Sequence, residues 1–472
     1  MNSESAIEAC AAEALARIFE EKRHMASAKI LEILPEQDNA RLRALARPGA
    51  ARPVEEVVRE AIDTIYNYRV RMDHPHFFGF IPSPASSVSW LGDLLTAGFN
   101  AHAGSWMQSS GPSAIEAGLI DWLAERVGMP SSAGGLFVSG GSMANLTGLI
   151  VARDQKLKPH ERGRGIAYVS DQTHSSVAKG LGIIGFLPDQ VRKVGSDGGF
   201  RIDMDKLAAA IREDRANGLI PFAVIASCGT TNTGSIDPLD AIADLARAEG
   251  IWMHVDGAYG ASVSLSGSHR DLVCGLARAD SLSWDAHKWL FQTYGCGMVL
   301  VRDNDHLVTS FSTRPEYLRD AVSLEEAPNF WDYGPELTRP ARAMKLWLTL
   351  QVLGIDAIGA MIDHGIGLAE TLEGALRARP DWQIVSPASL AITCFRYCPS
   401  ALDDDQVDRL NDEIARAMIA RNVAAPLTTR IDGRTVLRVC AISPEATAAD
   451  MADIAGKLTL QAEASLRRMR GD

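Results

Sequence analysis

Lys288, Asp256 and His174 are side chains of types that do chemistry in company. Lys288 lies in Ser283-Trp284-Asp285-Ala286-His287-Lys288-Trp289, flanked by apolar and aromatic residues. A lysine desolvated by such neighbours is a usable Schiff-base nucleophile and needs an electrophilic partner; alone, it reads equally as a surface lysine snorkelling past them. Asp256 closes the apolar run 251–255 and is followed by Gly257 and Ala258, which leaves room for a flat ligand beside its carboxylate. A strand-end cap or a metal-binding aspartate would look the same. A pyridinium nitrogen, however, wants such a carboxylate, because the negative charge keeps the ring protonated and therefore an electron sink.

Two further stretches fit the same ligand. Val138-Ser139-Gly140-Gly141-Ser142-Met143-Ala144-Asn145 is a glycine turn opening a helix, where free backbone N–H groups and the positive helix end hold a phosphate dianion. His174, in Ser170-Asp171-Gln172-Thr173-His174-Ser175-Ser176, would stack on the ring or simply cap a helix. Thr230, in Ser227-Cys228-Gly229-Thr230-Thr231-Asn232-Thr233-Gly234, belongs to a polar turn able to meet a phenolic oxygen or a substrate carboxylate. An amine, a pyridinium carboxylate, a phosphate cradle and an imidazole together suit pyridoxal 5′-phosphate. The rival is a serine hydrolase, since Gly140 to Ala144 also reads as Gly-x-Ser-x-Ala, near the nucleophile elbow Gly-x-Ser-x-Gly. A hydrolase built on Ser142 needs a later histidine, and His364 is the one late candidate.

These groups sit at the ends of short apolar runs. Residues 165–169, 222–227, 251–255 and 298–301 alternate with helical segments, which predicts a mainly parallel sheet covered by helices. In such sheets ligands gather at the carboxyl ends of strands. Ahead of the sheet, 5–46 and 54–70 read as helices interrupted by the proline- and glycine-bearing stretch 47–53. Val54, Val57, Val58, Ala61, Ile62 and Ile65 form an apolar stripe on the second. After Thr338 a long helical stretch leads to strand-like 390–397 and 435–442. The expected fold is α/β, with a helical N-terminal segment (1–75), a large domain around the sheet (76–345), and a linking helix with a smaller C-terminal α+β domain (346–472).

Composition narrows the partners. A chain of 472 residues exceeds what one core serves. Hydrophobic residues at 46% and charged residues at 22% are ordinary for a soluble globule. A net charge of -12 argues against a nucleic-acid footprint and points to small molecules. Cysteines 10, 228, 274, 296, 394, 398 and 440 make no CxxC pair and no zinc-spaced cluster, so no metal is expected and the thiols read as buried and reduced. The start has no cleavable apolar stretch, and no run reaches the roughly 20 apolar residues of a membrane span; the expected location is cytoplasmic.

The ordered set GlyGlySerMetAla, AspGlnThrHisSerSer, GlyThrThrAsnThrGly, HisValAspGlyAlaTyr and AspAlaHisLysTrp resembles the group II pyridoxal-phosphate-dependent decarboxylases, from about His74 to the C-terminus. Within them it is most similar to the bacterial tryptophan and aromatic-L-amino-acid decarboxylases, through 74–78, 88–93, 100–104, 284–296 and 336–342. The resemblance implies the fold-type I architecture, a homodimer and a division of labour. Lys288 would carry the cofactor, Asp256 would meet its ring nitrogen, and His174 and Ala258 would pack on its two faces. Gly141, Ser142 and Met143 would bind the phosphate, mainly through backbone N–H groups; Thr230 and His287 would flank the cofactor, and Asp285 stands where the animal enzymes carry asparagine.

The resemblance further places Phe80, Ser83, His102 and Trp331 in the substrate pocket, a mix that suits an indole or phenyl ring with a polar group to satisfy. Many relatives use a loop tyrosine as the final proton donor. Aligning back from Lys345-Leu346-Trp347 puts Phe330 at that position, with Tyr333 three residues on as the candidate acid beside His174. In plant relatives a phenylalanine there accompanies aldehyde formation, so an aromatic aldehyde synthase is the alternative with the same cofactor.

Overall fold

The computed structural model describes residues 3–313 and 327–470. Residues 314–326, part of the loop in which the resemblance seeks the proton donor, lie outside the described residues. The predicted strands form, and others join them. β1 (Gly134–Val138), β2 (Gly165–Ser170), β3 (Val191–Val194), β4 (Ile220–Ser227), β5 (Trp252–Asp256), β6 (Ser281–Asp285) and β7 (Gly297–Val301) make a seven-stranded sheet in the order β1-β7-β6-β5-β4-β2-β3. β7 runs antiparallel to both neighbours; the other strands share one direction. Period-two alternation sends Met253 and Val255 of β5 into one apolar layer, with Ile242, Trp284 and Leu300. Trp252, His254 and Asp256 point to the opposite face, the face covered by the helix Gly141–Lys156 with Ala144, Leu149 and Val151.

A second sheet is antiparallel, in the order β10-β11-β9-β8, from β8 (Trp382–Ser389), β9 (Ile392–Tyr397), β10 (Leu427–Ile431) and β11 (Arg434–Cys440). The helices Asp404–Ala420 and Ala448–Arg470 bury Leu410, Ile414, Met451 and Leu458 against it. Helices Ala343–Leu353 and Ile355–Arg377 lead to it from the large sheet. Among the described residues no single helix is long and apolar enough to cross a membrane.

The N-terminal region departs from its reading as two helices. Glu4–Arg23 is helical, a 3-10 turn follows at Met25–Ser27, the chain then runs without helix to Pro35, and Glu36–Leu45 and Val54–Glu60 follow, with a π turn at Ala61–Ile65. Helix is given up to bury Ile30 against Phe77 and Ala425, its N–H bonded to Asn422 Oδ1 at 2.8 Å. The cysteines also differ from expectation at two sites: Cys274 is exposed and Cys398 half-buried. Cys274 lies on a short surface turn, Arg270–Arg278, whose Val273, Gly275 and Leu276 take the inward positions.

Candidate active site

Loops at the carboxyl ends of β1, β2, β4, β5 and β6 line one cavity of about 400 Å³. β1 feeds Ser139 to Met143 into it, β2 supplies His174 and Ser176, and β4 supplies Ser227 and Gly229 to Thr231. β5 supplies Asp256, Ala258 and Tyr259, and β6 supplies Asp285, His287 and Lys288. Every residue read from the sequence as cofactor-binding is therefore in one place. His174, the N-cap of the helix Ser175–Ile183, accepts at Nδ1 from the Ser176 amide at 3.2 Å.

The charges divide the cavity into two ends. Lys288 Nζ stands 3.2 Å from Asp285 Oδ2, and His287 Nε2 is 3.7 Å from the same oxygen. His287 Nδ1 lies 3.0 Å from the Cys296 carbonyl, and burial lowers its pKa. At the other end Asp256 is buried at 8% exposure and accepts from Asn145 Nδ2 (3.0 Å), Ser283 Oγ (3.3 Å) and the Ala258 amide (3.2 Å). Among the described residues it forms no ion pair, so a buried carboxylate faces the cavity with neutral donors only.

That donor set fits pyridoxal phosphate. A buried anion without a protein cation suits a ligand that brings its own, here a protonated ring nitrogen. The glycine turn is a cradle with no room for a side chain: a Cβ on Gly141 would stand 2.8 Å from Asp285 Oδ2. The amides of Gly141 and Ser142 precede the first intrahelical bonds, where an anion is favoured. Met143 also lines the cavity, and its amide donates to the Gly140 carbonyl at 2.9 Å.

Other candidates lie apart. Phe80 is 59% exposed, with a backbone φ of 53°. Ser83 is buried and donates to the Gln292 carbonyl at 3.2 Å. His102 Nδ1 accepts from the Gly104 amide, and the Trp331 amide donates to the Gly104 carbonyl at 3.0 Å. Tyr333 Oη accepts from Asn304 Nδ2 at 3.2 Å, and Phe330 is buried beneath the Arg339 guanidinium, 5.0 Å from its ring. None of these lines the cavity of the single chain. The hydrolase rival loses its histidine: His364 Nε2 lies 2.7 Å from the Ala446 carbonyl, remote from Ser142.

The sequence reading passed over Asn145, Ser176, His254, Ser281 and Ser283, which surround Asp256. A signal existed. His254 and Asp256 are two apart on β5, Ser281 and Ser283 two apart on β6, and Asn145 is one helical turn beyond Gly141. The register pairs His254 with Ser281 and Asp256 with Ser283.

Residues 35–398 match the model of the pyridoxal-dependent decarboxylase conserved domain. The chain is 42% identical over 401 residues to an aromatic-L-amino-acid decarboxylase of Bacillus atrophaeus, covering 84% of this chain and 83% of that protein. It is 31% identical over 421 residues to a phenylacetaldehyde synthase of a Rosa hybrid cultivar, covering 85% and 83%. The crystal structure of Oryza sativa TDC with PLP and tryptamine matches with a TM-score of 0.92 at 27% identity, covering 98% of each chain.

Proposed function

The chain belongs to the pyridoxal-dependent decarboxylase family, and from that premise we propose that it converts an aromatic L-amino acid, tryptophan or phenylalanine foremost, to the amine and CO2. The fold is that of the fold-type I enzymes, the cofactor is pyridoxal phosphate and the reaction is an amino-acid decarboxylation. The observation that carries the site assignment is the convergence of Lys288, Asp256, His174 and the 139–143 turn on one cavity. When bound, the cofactor supplies an electron sink for the pair left behind as CO2 departs.

The residues then have separate tasks. Lys288 offers its amine at the β6 end, where Asp285 Oδ2 anchors it. Asp256 would meet the ring nitrogen, Gly141 and Ser142 would offer their amides to the phosphate, and Ala258 and His174 would flank the ring. Thr230 and His287 close the sides. His174 is the candidate acid within the cavity for returning a proton to carbon, and Tyr333, which accepts from Asn304 and lies outside the single chain's cavity, is the second candidate.

Phe80, Ser83, His102 and Trp331 stay assigned to substrate recognition, completed by a second copy in a homodimer. Supporting this, the helix Ser87–Gly98, its cap Phe99 and the helix Trp106–Arg126 expose Leu91, Leu94, Leu95, Phe99 and Met107, large apolar side chains of the kind an interaction surface covers. The aldehyde-synthase reading is favoured by one feature, Phe330 in place of a tyrosine, together with likeness to a phenylacetaldehyde synthase. Incubation with tryptophan, phenylalanine and tyrosine separates the two. Amine with stoichiometric CO2 and no oxygen uptake supports the decarboxylase; aldehyde with oxygen consumption and peroxide overturns it.

A further inference from the structure

The donors and acceptors beneath the cavity leave no freedom in where their hydrogens lie. Asp256 Oδ2 only accepts when ionised, so the Asn145 atom 3.0 Å away is its amide nitrogen. Asn145 Oδ1 therefore faces His254 Nε2 at 2.9 Å, and that nitrogen carries the proton. His254 Nδ1 then accepts from Ser281 Oγ at 2.8 Å, and Ser281 Oγ accepts in turn from Trp252 Nε1 at 2.8 Å. His254 is fully buried, and burial pushes its pKa down to about 4, which keeps the ring neutral as this pattern requires.

The second hydrogen of the Asn145 amide goes to Ser176 Oγ at 3.0 Å. Ser176 in turn donates its hydroxyl to His174 Nδ1 at 2.8 Å, where its own amide also points at 3.2 Å. Nδ1 of His174 is an acceptor twice over, so the ring proton sits on Nε2. A proton on Asp256 Oδ2 would likewise meet the Asn145 amide hydrogen.

We propose that Asn145 is a positioning residue that sets two cavity groups at once, keeping Asp256 Oδ2 an acceptor and, by donating to Ser176 Oγ, aiming the Ser176 hydroxyl at His174 Nδ1 beside the Ser176 amide. Trp252, Ser281 and His254 hold the Asn145 amide in the orientation that does this. The two groups placed on the cofactor's nitrogen and face thus share one amide, and a flip of that amide would mis-set both. The assignment rests on the reading of this cavity as the pyridoxal phosphate site.

The test compares wild-type holoenzyme with Asn145→Asp, Asn145→Leu and Ser176→Ala, reading cofactor affinity by absorbance titration and histidine tautomers by nitrogen NMR of ¹⁵N-histidine protein. Asn145→Asp keeps the size and the acceptor for His254 but removes both donors. It is expected to weaken cofactor binding about tenfold or more, at least as much as Asn145→Leu. Ser176→Ala removes the hydroxyl donor and keeps the amide, so it is expected to shift the His174 Nδ1 resonance toward that of a less hydrogen-bonded acceptor while Nε2 keeps its proton. Wild-type affinity in Asn145→Asp, or unmoved His174 nitrogens in Ser176→Ala, overturns the proposal. If the Asn145 variants do not fold, the Ser176→Ala spectrum decides it alone. Wild-type protein that binds no pyridoxal phosphate overturns the site reading itself, an outcome visible before any variant is made.

Discussion

Glu116→Gln removes a single charge from the most deeply buried ion pair of the fold. Glu116 is 1% exposed and Arg339 0%. Arg339 donates to both carboxylate oxygens, at 2.5 and 3.2 Å, and to the carbonyls of Ala103 and Phe137, each at 2.6 Å. Glu116 also accepts from the Phe137 amide at 2.8 Å. The glutamine keeps the shape and leaves a guanidinium buried without its counter-charge. Breaking such a pair costs about 3–5 kcal/mol, a large part of the ~5–15 kcal/mol that holds a domain together. Phe137 lies on β1 just ahead of the glycine turn, so the damage reaches the cofactor cradle. Hydrogen exchange read by mass spectrometry should show opening around 101–105, 134–138 and 337–340 roughly a hundredfold faster or more, with a lower urea midpoint. The double variant Glu116→Leu with Arg339→Met should lose less than the single change, because no charge is left stranded. Exchange within about twofold of wild type in Glu116→Gln would refute the reasoning.

Three other changes probe the site and its support. In Gly297→Ala a Cβ would stand 2.6 Å from the Gly140 Cα and 2.5 Å from Asp285 Oδ1; cofactor affinity should fall about tenfold or more, measured by absorbance titration of apoprotein. Arg438→Met strips the guanidinium that donates to the carbonyls of Thr231 (2.8 Å), Asn232 (3.2 Å) and Phe80. Its expected effect is weaker cofactor binding and a raised KM, since Thr231 lines the cavity and Phe80 is a substrate candidate. Acid stability should follow the buried histidines. His254 and His74 are both lowered to about 4, chiefly by burial. Each binds fewer protons folded than unfolded between about pH 6.5 and 4, so stability is lost as pH falls through that window. Asp237, raised to about 6 by burial, opposes this below pH 6 by taking up a proton in the folded state. His254→Gln should flatten the decline in thermal midpoint between pH 6.5 and 5, and an unchanged slope would refute its share.

What could be read from sequence was local. Asp256 directly follows the run 251–255 and His174 comes soon after 165–169, so strand-end logic placed them without knowing the strand order, while Lys288 and the 139–143 turn were read from their own residue types and neighbours. Asn145 and His254 carried a periodicity signal, but their role depends on a helix lying across β5 and β6, a packing that no run of residues announces. The sequence did not show that the Met143 amide is spent on the Gly140 carbonyl in the helix's first turn. The N-terminal break at 24–35 escaped notice because Ile30 is held by Phe77 and Ala425, far along the chain. Phe80, Ser83, His102 and Trp331 were named through likeness alone, and none of them lines the cavity of the single chain.

Borohydride reduction of the holoprotein, followed by digestion and peptide mass mapping, locates the lysine that holds the cofactor. A pyridoxyl phosphate adduct on Lys288 and loss of the visible band are expected. An adduct on a different lysine, or a colourless protein with no adduct after loading with pyridoxal phosphate, would contradict the assignment of Lys288.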